Sequence, residues 1–141
     1  MKPKIHTITL GVNNLEKSVE FYRNVIAWHT DGIVGAELGD MAVAIFNMQG
    51  GSRLQLFSRL GLAKEANVQV IHKSAVEFSL GYYVDAREDV DSTIRQFRER
   101  SPTSITKEPG ETAWGGYNAY FQDPDGHLWE IVYDPKLTID E

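Results

Sequence analysis

The chain has no cysteine, no long apolar run and no excess of basic residues. Without cysteine it can form no disulfide, thiolate nucleophile, iron–sulfur cluster or cysteine zinc site. A chain of this size without disulfides needs no oxidising compartment, so the sequence predicts a cytoplasmic protein. The longest apolar run, residues 42–46, is far shorter than the roughly 20 residues of a membrane helix, which predicts no membrane partner.

Acidic side chains outnumber basic ones. Fourteen Lys and Arg stand against twenty Asp and Glu, giving a net charge of -6, and the basic residues are scattered along the chain. Phosphate backbones require a basic patch, so a nucleic-acid partner is disfavoured. Long-range attraction by the negative charge favours cationic ligands instead.

Several motifs that carry chemistry are also missing. The sequence has no Gly-rich phosphate loop, no Gly-x-Ser-x-Gly elbow and no His-Glu-x-x-His, which disfavours nucleotide hydrolysis, serine-type acyl transfer and zincin proteolysis. Its histidines fall in different segments, without the spacing that places two ligands on one helix face. We interpret all of them as surface or structural residues: His6, His29, His72 and His127.

What the sequence does contain is enough hydrophobic residues, 42% of 141, to bury a core. Residues 7–12 alternate as a strand does, and an amphipathic helix is predicted from Leu15 to about Ala27, capped by Asn13 or Asn14. Three more strands are predicted after it, at residues 28–38, 41–48 and 53–58.

The second half repeats this order after a loop predicted at residues 59–75. A strand is predicted at 76–84, followed by a helix that begins after Asp85 and ends at Pro102. Three short strands complete the half, at residues 104–107, 117–122 and 128–133, and the Asp-Pro-Asp-Gly turn of residues 123–126 joins the last two.

The two halves therefore have the same βαβββ order. Val12 overlays Val84 with an offset of 72 residues, and Gln55 overlays Glu130 with an offset of 75, spacings at which an internal repeat is credible. The sequence predicts an α+β fold, a single domain of two βαβββ modules at about 1–58 and 76–135. We expect their curved sheets to enclose a cleft that binds a small molecule.

This doubled pattern resembles the vicinal oxygen chelate superfamily, which includes glyoxalase I, the bleomycin-resistance proteins and the extradiol dioxygenases. The likeness covers nearly the whole chain. It is carried by the opening segment 8–22, ITLGVNNLEKSVEFY, and by the closing segment 120–131, YFQDPDGHLWEI. The first joins a strand to a helix, and the second joins an Asp-Pro-Asp-Gly turn to a Glu-bearing last strand.

The resemblance implies a divalent metal held by the first and last strands of each module. The positions that match the family's ligands are Thr7, Gln55, Ser79 and Glu130, and His6 is one residue out of register. Strand side chains alternate between faces, so that offset turns His6 away from the cleft. One carboxylate, one amide and two hydroxyls are poor ligands for a transition metal, so we predict no metal and no other cofactor.

Glu130 is then the strongest candidate for a functional group. It could act as a general base, with Tyr120 as acid, or accept hydrogen bonds in a buried polar network. Tyr120 matches the position of a catalytic tyrosine in the extradiol dioxygenases that the chain resembles. Trp114 and Tyr117 are candidates for ligand contacts, Trp114 as an aromatic lid beside a Gly-Gly pair.

Two classes of function follow. In the first, the chain is a homodimeric protein with a degenerate metal site that binds a small aromatic or cationic molecule, as the resemblance to bleomycin-resistance proteins implies. In the second, it is an enzyme. It would be either a metal-dependent glyoxalase-like lyase or dioxygenase, or a metal-free isomerase that uses Glu130 as base.

Overall fold

The structure is a computed structural model that describes residues 1–71 and 78–137. The chain divides into two compact units, Met1–His72 and Lys73–Glu141. Each unit contains one four-stranded mixed sheet with the same order of strands along the chain and across the sheet. Within the described ranges, no helix is both long enough and apolar enough to cross a membrane.

The first unit contains strands β1 (Thr7–Val12), β2 (Ile33–Val34), β3 (Val43–Asn47) and β4 (Arg53–Ser58). They lie in the order β1-β4-β3-β2, with β1 parallel to β4 and the other pairs antiparallel. The predicted strand at residues 28–38 is much shorter in the structure, because residues 36–41 form 3₁₀ turns around Gly39.

Helix α1 (Leu15–Glu20) begins where the sequence predicts, since the Asn14 side chain accepts a hydrogen bond from the Lys17 amide at 3.0 Å. It continues as a π-helical turn, Phe21–Val25, and ends at Ala27, whose φ of 68° is left-handed. Tyr22 is fully buried there, with its ring 5.7 Å from that of Phe46.

Helix α2 (Arg59–Ala66) lies where the sequence predicts a loop, so that prediction is wrong. Ser58 caps its first turn by accepting from the Gly61 amide at 2.9 Å, and Asn67 ends it in the left-handed conformation. Its apolar residues do not collect on one face, which removes the periodicity by which a helix is recognised. Both caps were nevertheless present in the sequence.

The second unit contains β5 (Ser79–Tyr83), α3 (Arg87–Arg100), β6 (Ile105–Glu111), β7 (Tyr117–Gln122) and β8 (Leu128–Tyr133). Its strands lie in the order β5-β8-β7-β6, with β5 parallel to β8. The bounds of β7 and β8 are those the sequence predicts. Residues 76 and 77 of the predicted strand 76–84 lie outside the described residues, as does His72.

One face of this sheet packs against α3. The buried residues Val90, Ile94 and Phe97 of the helix provide its apolar side. Phe97 meets Phe121 edge to face with ring centroids 4.8 Å apart, and Phe121 stacks on Trp129 at 6.0 Å. Alternation along β7 and β8 therefore places Phe121 and Trp129 on the helix side of the sheet.

The turn between β7 and β8 fixes their register. The buried Asp123 carboxylate accepts hydrogen bonds from the amides of Asp125 and His127, both at 2.9 Å, and contacts His127 Nδ1 at 2.6 Å. These contacts give His127 the structural role that the sequence predicts. The register that follows places Gln122 opposite Leu128 and Tyr120 opposite Glu130.

Two βαβββ units in an α+β fold confirm the predicted fold class. The repeat offsets are also visible in the pairing of parallel strands. Thr9 pairs with Gln55 in the first unit, and the residues 72 and 75 positions later, Gly81 and Glu130, pair in the second. The two pairs occupy equivalent places in the two sheets.

Candidate functional site

The candidate site lies on the face of the second sheet that is turned away from α3. Trp129 and Ile131 of β8 point towards the helix side and are buried. Glu130 lies between them in sequence, and its side chain therefore projects from the opposite face. Tyr120 is paired directly with Glu130 and projects from the same face.

A single amide side chain joins a carboxylate to an ammonium group on this face. Asn118 Nδ2 donates to Glu130 Oε2 at 2.7 Å, and Lys107 Nζ donates to Asn118 Oδ1 at 2.9 Å. Lys107 Nζ also lies 3.3 Å from the Asn118 carbonyl oxygen. The opposite charges of Lys107 and Glu130 are thus linked through one neutral group, which each of them orients.

Tyr120 completes the group. Burial and the negative charge of the facing Glu130 carboxylate raise the pKa of the Tyr120 hydroxyl above its ordinary value. The phenol stays protonated at neutral pH, and its one O–H is engaged by the Glu130 carboxylate, since a hydrogen bond to Glu130 also contributes to the raised pKa. Tyr120 therefore holds Glu130 from one side as Asn118 does from another.

The position of Lys107 depends on two irregularities in β6. Ile105 pairs with Phe121 and Lys107 with Tyr120, so Thr106, between them in β6, has no paired residue in β7. A second extra residue falls between Lys107 and Gly110. Such bulges interrupt the alternation of side chains. They explain why two consecutive residues, Thr106 and Lys107, both line the same depression.

This depression has a volume of about 500 Å³. Apolar and polar side chains share its wall: Phe78, Ser79, Thr106, Lys107, Tyr120 and Leu128. That volume falls within the roughly 300–1,000 Å³ of small-molecule sites. The structure therefore brings two of the predicted site residues, Ser79 and Tyr120, into one concave surface, with Glu130 paired directly to Tyr120.

The corresponding face of the first sheet is uncharged at its centre. Gln55 Nε2 donates to Thr9 Oγ1 at 3.2 Å, and Thr9 is the residue paired with Gln55 across the parallel strands. Thr7, which matches a ligand position of the family, pairs with Arg53 one step along the same face. His6 precedes β1 and is exposed, and its carbonyl oxygen accepts from the Arg53 amide at 2.8 Å.

Two predicted ligand contacts lie elsewhere in the second unit. Tyr117 donates its hydroxyl to Asp91 of α3 at 2.7 Å, which places it on the helix side of the sheet. That hydrogen bond, together with burial, raises the pKa of Tyr117. Trp114 is half exposed in the loop between β6 and β7, with its ring against Gly116. Neither residue lines the depression beside Tyr120.

Comparison with known proteins identifies the family. The sequence model of the Glyoxalase/Bleomycin resistance protein/Dioxygenase superfamily matches residues 4–131. The chain belongs to this superfamily. It is also 30% identical over 131 residues to the uncharacterized protein YraH of Bacillus subtilis (strain 168), a match that covers 91% of this chain and 96% of YraH.

Solved structures of the superfamily share the fold. A glyoxalase-related enzyme from Fulvimarina pelagi superposes with a TM-score of 0.79 at 23% identity, covering 98% of this chain and 93% of that one. Lactoylglutathione lyase from Agrobacterium tumefaciens gives 0.72 at 20%, covering 99% and 100%. The fosfomycin resistance protein FosX from Listeria monocytogenes gives 0.68 at 18%, covering 96% and 97%. At these identities the likeness shows the fold alone.

The donor groups of this superfamily member do not fit the metal that the resemblance implies. The first sheet offers the hydroxyls of Thr7 and Thr9 and the amide of Gln55, and the second offers Ser79 and one carboxylate, Glu130. Glu130 is already hydrogen-bonded to an amide. Over residues 1–71 and 78–137, no three His, Asp or Glu side chains form a group that could hold a metal ion.

Sequence reasoning missed Asn118 and Lys107. Asn118 could have been found, because the turn at residues 123–126 fixes the hairpin register and places Asn118 diagonally across from Glu130. Lys107 was harder to place, because Pro109-Gly110 marks the second irregularity of β6 but no such residue marks the first, between Ile105 and Lys107. The partners expected for Glu130 were Thr7, Gln55 and Ser79.

Proposed function

We propose that this superfamily member binds a small organic molecule on the face of its second sheet that is turned away from α3, without a metal ion. The observation that supports this most strongly is the linked set Lys107, Asn118, Glu130 and Tyr120, which lies beside the apolar side chain of Leu128. A concave surface with apolar walls and a few oriented polar groups is the usual form of a small-molecule site. The site predicted between the two sheets stays a prediction.

The absence of suitable metal ligands is the second argument. A catalytic metal in a protein needs about three or four nitrogen, oxygen or sulfur ligands of adequate strength. Glu130 is the one carboxylate among the positions that match the family's ligands, and hydroxyls and amides bind transition metals weakly. Binding by side chains alone is therefore the chemistry these residues support.

The direct test is binding, observed by nuclear magnetic resonance on isotope-labelled protein. We expect hits from a library of small organic molecules to shift the side-chain amide signals of Asn118, since that amide touches both Lys107 and Glu130. Glu130→Gln should weaken or redirect the hits, whereas Glu99→Gln, an exposed carboxylate on α3, should not. Hits that perturb only residues outside this face would contradict the proposal.

A second candidate is a metal-free isomerase. Its support is the pairing of Glu130, a carboxylate that could abstract a proton, with Tyr120, whose raised pKa keeps it a hydrogen-bond donor. Substrate turnover separates the two. If Glu130 acts only in the transition state, Glu130→Gln abolishes turnover and leaves ligand affinity nearly unchanged. Loss of affinity with no turnover to lose favours the binding protein.

A metal-dependent lyase or dioxygenase is the remaining alternative. It is tested by elemental analysis of the protein as purified, and again after exposure to Fe(II), Mn(II), Ni(II) or Zn(II) and desalting. We expect no stoichiometric retention of any of these ions, because the positions that match the family's ligands contain one carboxylate and otherwise only hydroxyl and amide groups. Retention of one ion per chain would overturn metal independence and direct the work to glyoxalase and dioxygenase assays.

The homodimer and the cytoplasmic location also remain proposals. Light scattering coupled to size-exclusion chromatography measures the first directly: a mass near twice 15.9 kDa supports the dimer, and a mass near 15.9 kDa contradicts it. The cytoplasmic location is supported by the absence of cysteine, and fractionation of the source cells tests it.

A further inference from the structure

We propose that the ligand of the second sheet carries an anionic oxygen group, such as a carboxylate, which Lys107 binds through its Nζ atom. This inference rests on the proposed function and names the class of ligand. It runs against the net charge of -6, which by itself favours a cation. The local wall of the depression, not the total charge, decides which ion is held at short range.

The wall of the depression is cationic. Of the six described residues that line it, Lys107 alone has a charged side chain. Glu130 is not among them, and its Oε2 atom already accepts a hydrogen bond from Asn118. Among these described residues, the charge that a bound ligand contacts is therefore that of the ammonium group.

The ammonium group is positioned but not neutralised. Its acceptors are the Asn118 side-chain oxygen at 2.9 Å and two carbonyl oxygens, of Asn118 at 3.3 Å and of Glu108 at 3.5 Å. All three acceptors are uncharged, and within the described residues Lys107 makes no ion pair. The contact with Glu108 is at the limit of hydrogen bonding, so one N–H remains available to a stronger acceptor.

The other polar groups of the wall also suit an anion. Thr106 and Ser79 have neutral hydroxyls that can donate to it. An anionic oxygen group accepts several hydrogen bonds at once, and charge-assisted bonds are the strong ones. Phe78 and Leu128 provide apolar contacts for the remainder of the molecule.

The bulges of β6 make this arrangement specific to the second unit. Regular alternation would put Thr106 and Lys107 on opposite faces, whereas the shifted register lets both line the depression. The first sheet has no such bulge between its described strand pairs, and its central pair, Thr9 and Gln55, is uncharged. We therefore expect the anion binding that depends on Lys107 on the second sheet.

The test compares ligands that differ in charge and little else. Each set of probes contains an anion, a neutral amide and a cation built on the same ring, for example phenylacetate, 2-phenylacetamide and 2-phenylethylamine. The panel contains several such sets with different aryl or alkyl groups. Affinities are read from the Asn118 side-chain amide signals during titration. In each set that binds, we expect the carboxylate to bind most tightly and the amine least.

Two lysine variants locate the effect. Lys107→Met should weaken carboxylate binding about tenfold, the loss of one charge-assisted hydrogen bond, and change amide binding less than about twofold. Lys136→Met makes the same change of charge at an exposed position outside the depression and should change neither. Added salt should weaken carboxylate binding to the unaltered protein, which supplies a readout that needs no variant.

The outcomes separate this inference from the proposed function. Amines that bind as tightly as carboxylates on this face, or carboxylate affinity that Lys107→Met leaves unchanged, would overturn the anionic class and leave small-molecule binding standing. If no compound of any charge perturbs the face of Glu130 and Asn118, both proposals fall. Preferential carboxylate binding that depends on Lys107 supports both.

Discussion

The two units use one backbone plan for different chemistry. In the first sheet, the central parallel pair is Thr9 and Gln55, joined by a neutral hydrogen bond of 3.2 Å. In the second, the equivalent pair is Gly81 and Glu130. Because Gly81 has no side chain, Glu130 takes its partner from the other side, the antiparallel strand that carries Asn118. The second unit thus has a glycine where the first has Thr9, and a different polar network around its central carboxylate.

The units also differ in how the last strand continues. In the first, β4 runs directly into α2, which packs on the 3₁₀ turns through Gly61 and through an ion pair between Lys64 and Asp40 at 3.1 Å. In the second, β8 ends at Tyr133, and the equivalent space has no described helix. The first unit is tightly packed beyond its sheet, whereas the second carries the charged face.

Among these variants, Gly61→Ala should lower the free energy of unfolding the most. A Cβ atom there would clash with the Asp40 carbonyl oxygen and with the Phe57 ring. Backbone cannot move away as a flexible side chain can, so we expect a loss of about 2–3 kcal/mol in the free energy of unfolding, the upper range for overpacking. Denaturant unfolding measures it.

Gly81→Ala is the matched control in the second unit. Its Cβ atom would meet Tyr83 Cε1 at 3.4 Å, an ordinary contact, and its φ is not left-handed. We expect a change within about 0.5 kcal/mol, since alanine also lowers the entropy of the unfolded chain. Equal losses in both variants would show that the tight contact of α2 is not a distinguishing feature of the first unit.

The second prediction compares the two polar pairs. Asn118→Leu removes the amide that joins Lys107 to Glu130 and leaves the carboxylate with one donor fewer, which should cost about 1–3 kcal/mol of stability. Gln55→Leu removes one neutral hydrogen bond to Thr9 and should cost no more than about 1 kcal/mol. Chemical denaturation of the two variants in parallel gives the difference. If Gln55→Leu lost more stability than Asn118→Leu, the pair in the first sheet, and not the network in the second, would contribute more to stability.

The sequence was sufficient to predict the fold where local signals are strong. The hairpin of β7 and β8 has clear alternation on both sides of an Asp-Pro-Asp-Gly turn, and both strands appear with the predicted bounds. The cap at Asn14 marked the start of α1 correctly. Helix α2 was missed because its apolar residues lack helical periodicity, although Ser58 and Asn67 marked its ends.

The candidate site was less accessible to sequence reasoning. Glu130 and Tyr120 were chosen because they match positions of the family that the chain resembles, and the structure pairs them. Thr7 was chosen because it matches a ligand position of the family, whereas the register of the parallel strands makes Thr9 the neighbour of Gln55. The position of Lys107 depends on two bulges, and only the second, at Pro109-Gly110, has a signal in the sequence.

The smallest predicted effect concerns the ionisation of two tyrosines. Absorbance titration of the unaltered protein, compared with Tyr120→Phe and with Tyr117→Phe, isolates the signal of each phenol. Both should ionise above the ordinary tyrosine pKa of about 10. Glu130→Gln should lower the pKa of Tyr120 alone, because burial remains and the facing charge is lost. Asp91→Asn should lower that of Tyr117 alone.

The same shifts fix how stability depends on pH at the alkaline end. A raised pKa in the folded state means that the folded chain keeps the phenolic proton at a pH at which the unfolded chain releases it. The resulting stabilisation is complete below about pH 10, the tyrosine pKa of the unfolded chain, and is lost as pH rises through the folded pKa. Tyr120→Phe should therefore flatten the fall in unfolding free energy above pH 10. If Glu130→Gln lowered the pKa values of both tyrosines equally, the face that carries Glu130 and the helix side of the second sheet would share one electrostatic environment. The separation of the two faces, on which the site depends, would then be wrong.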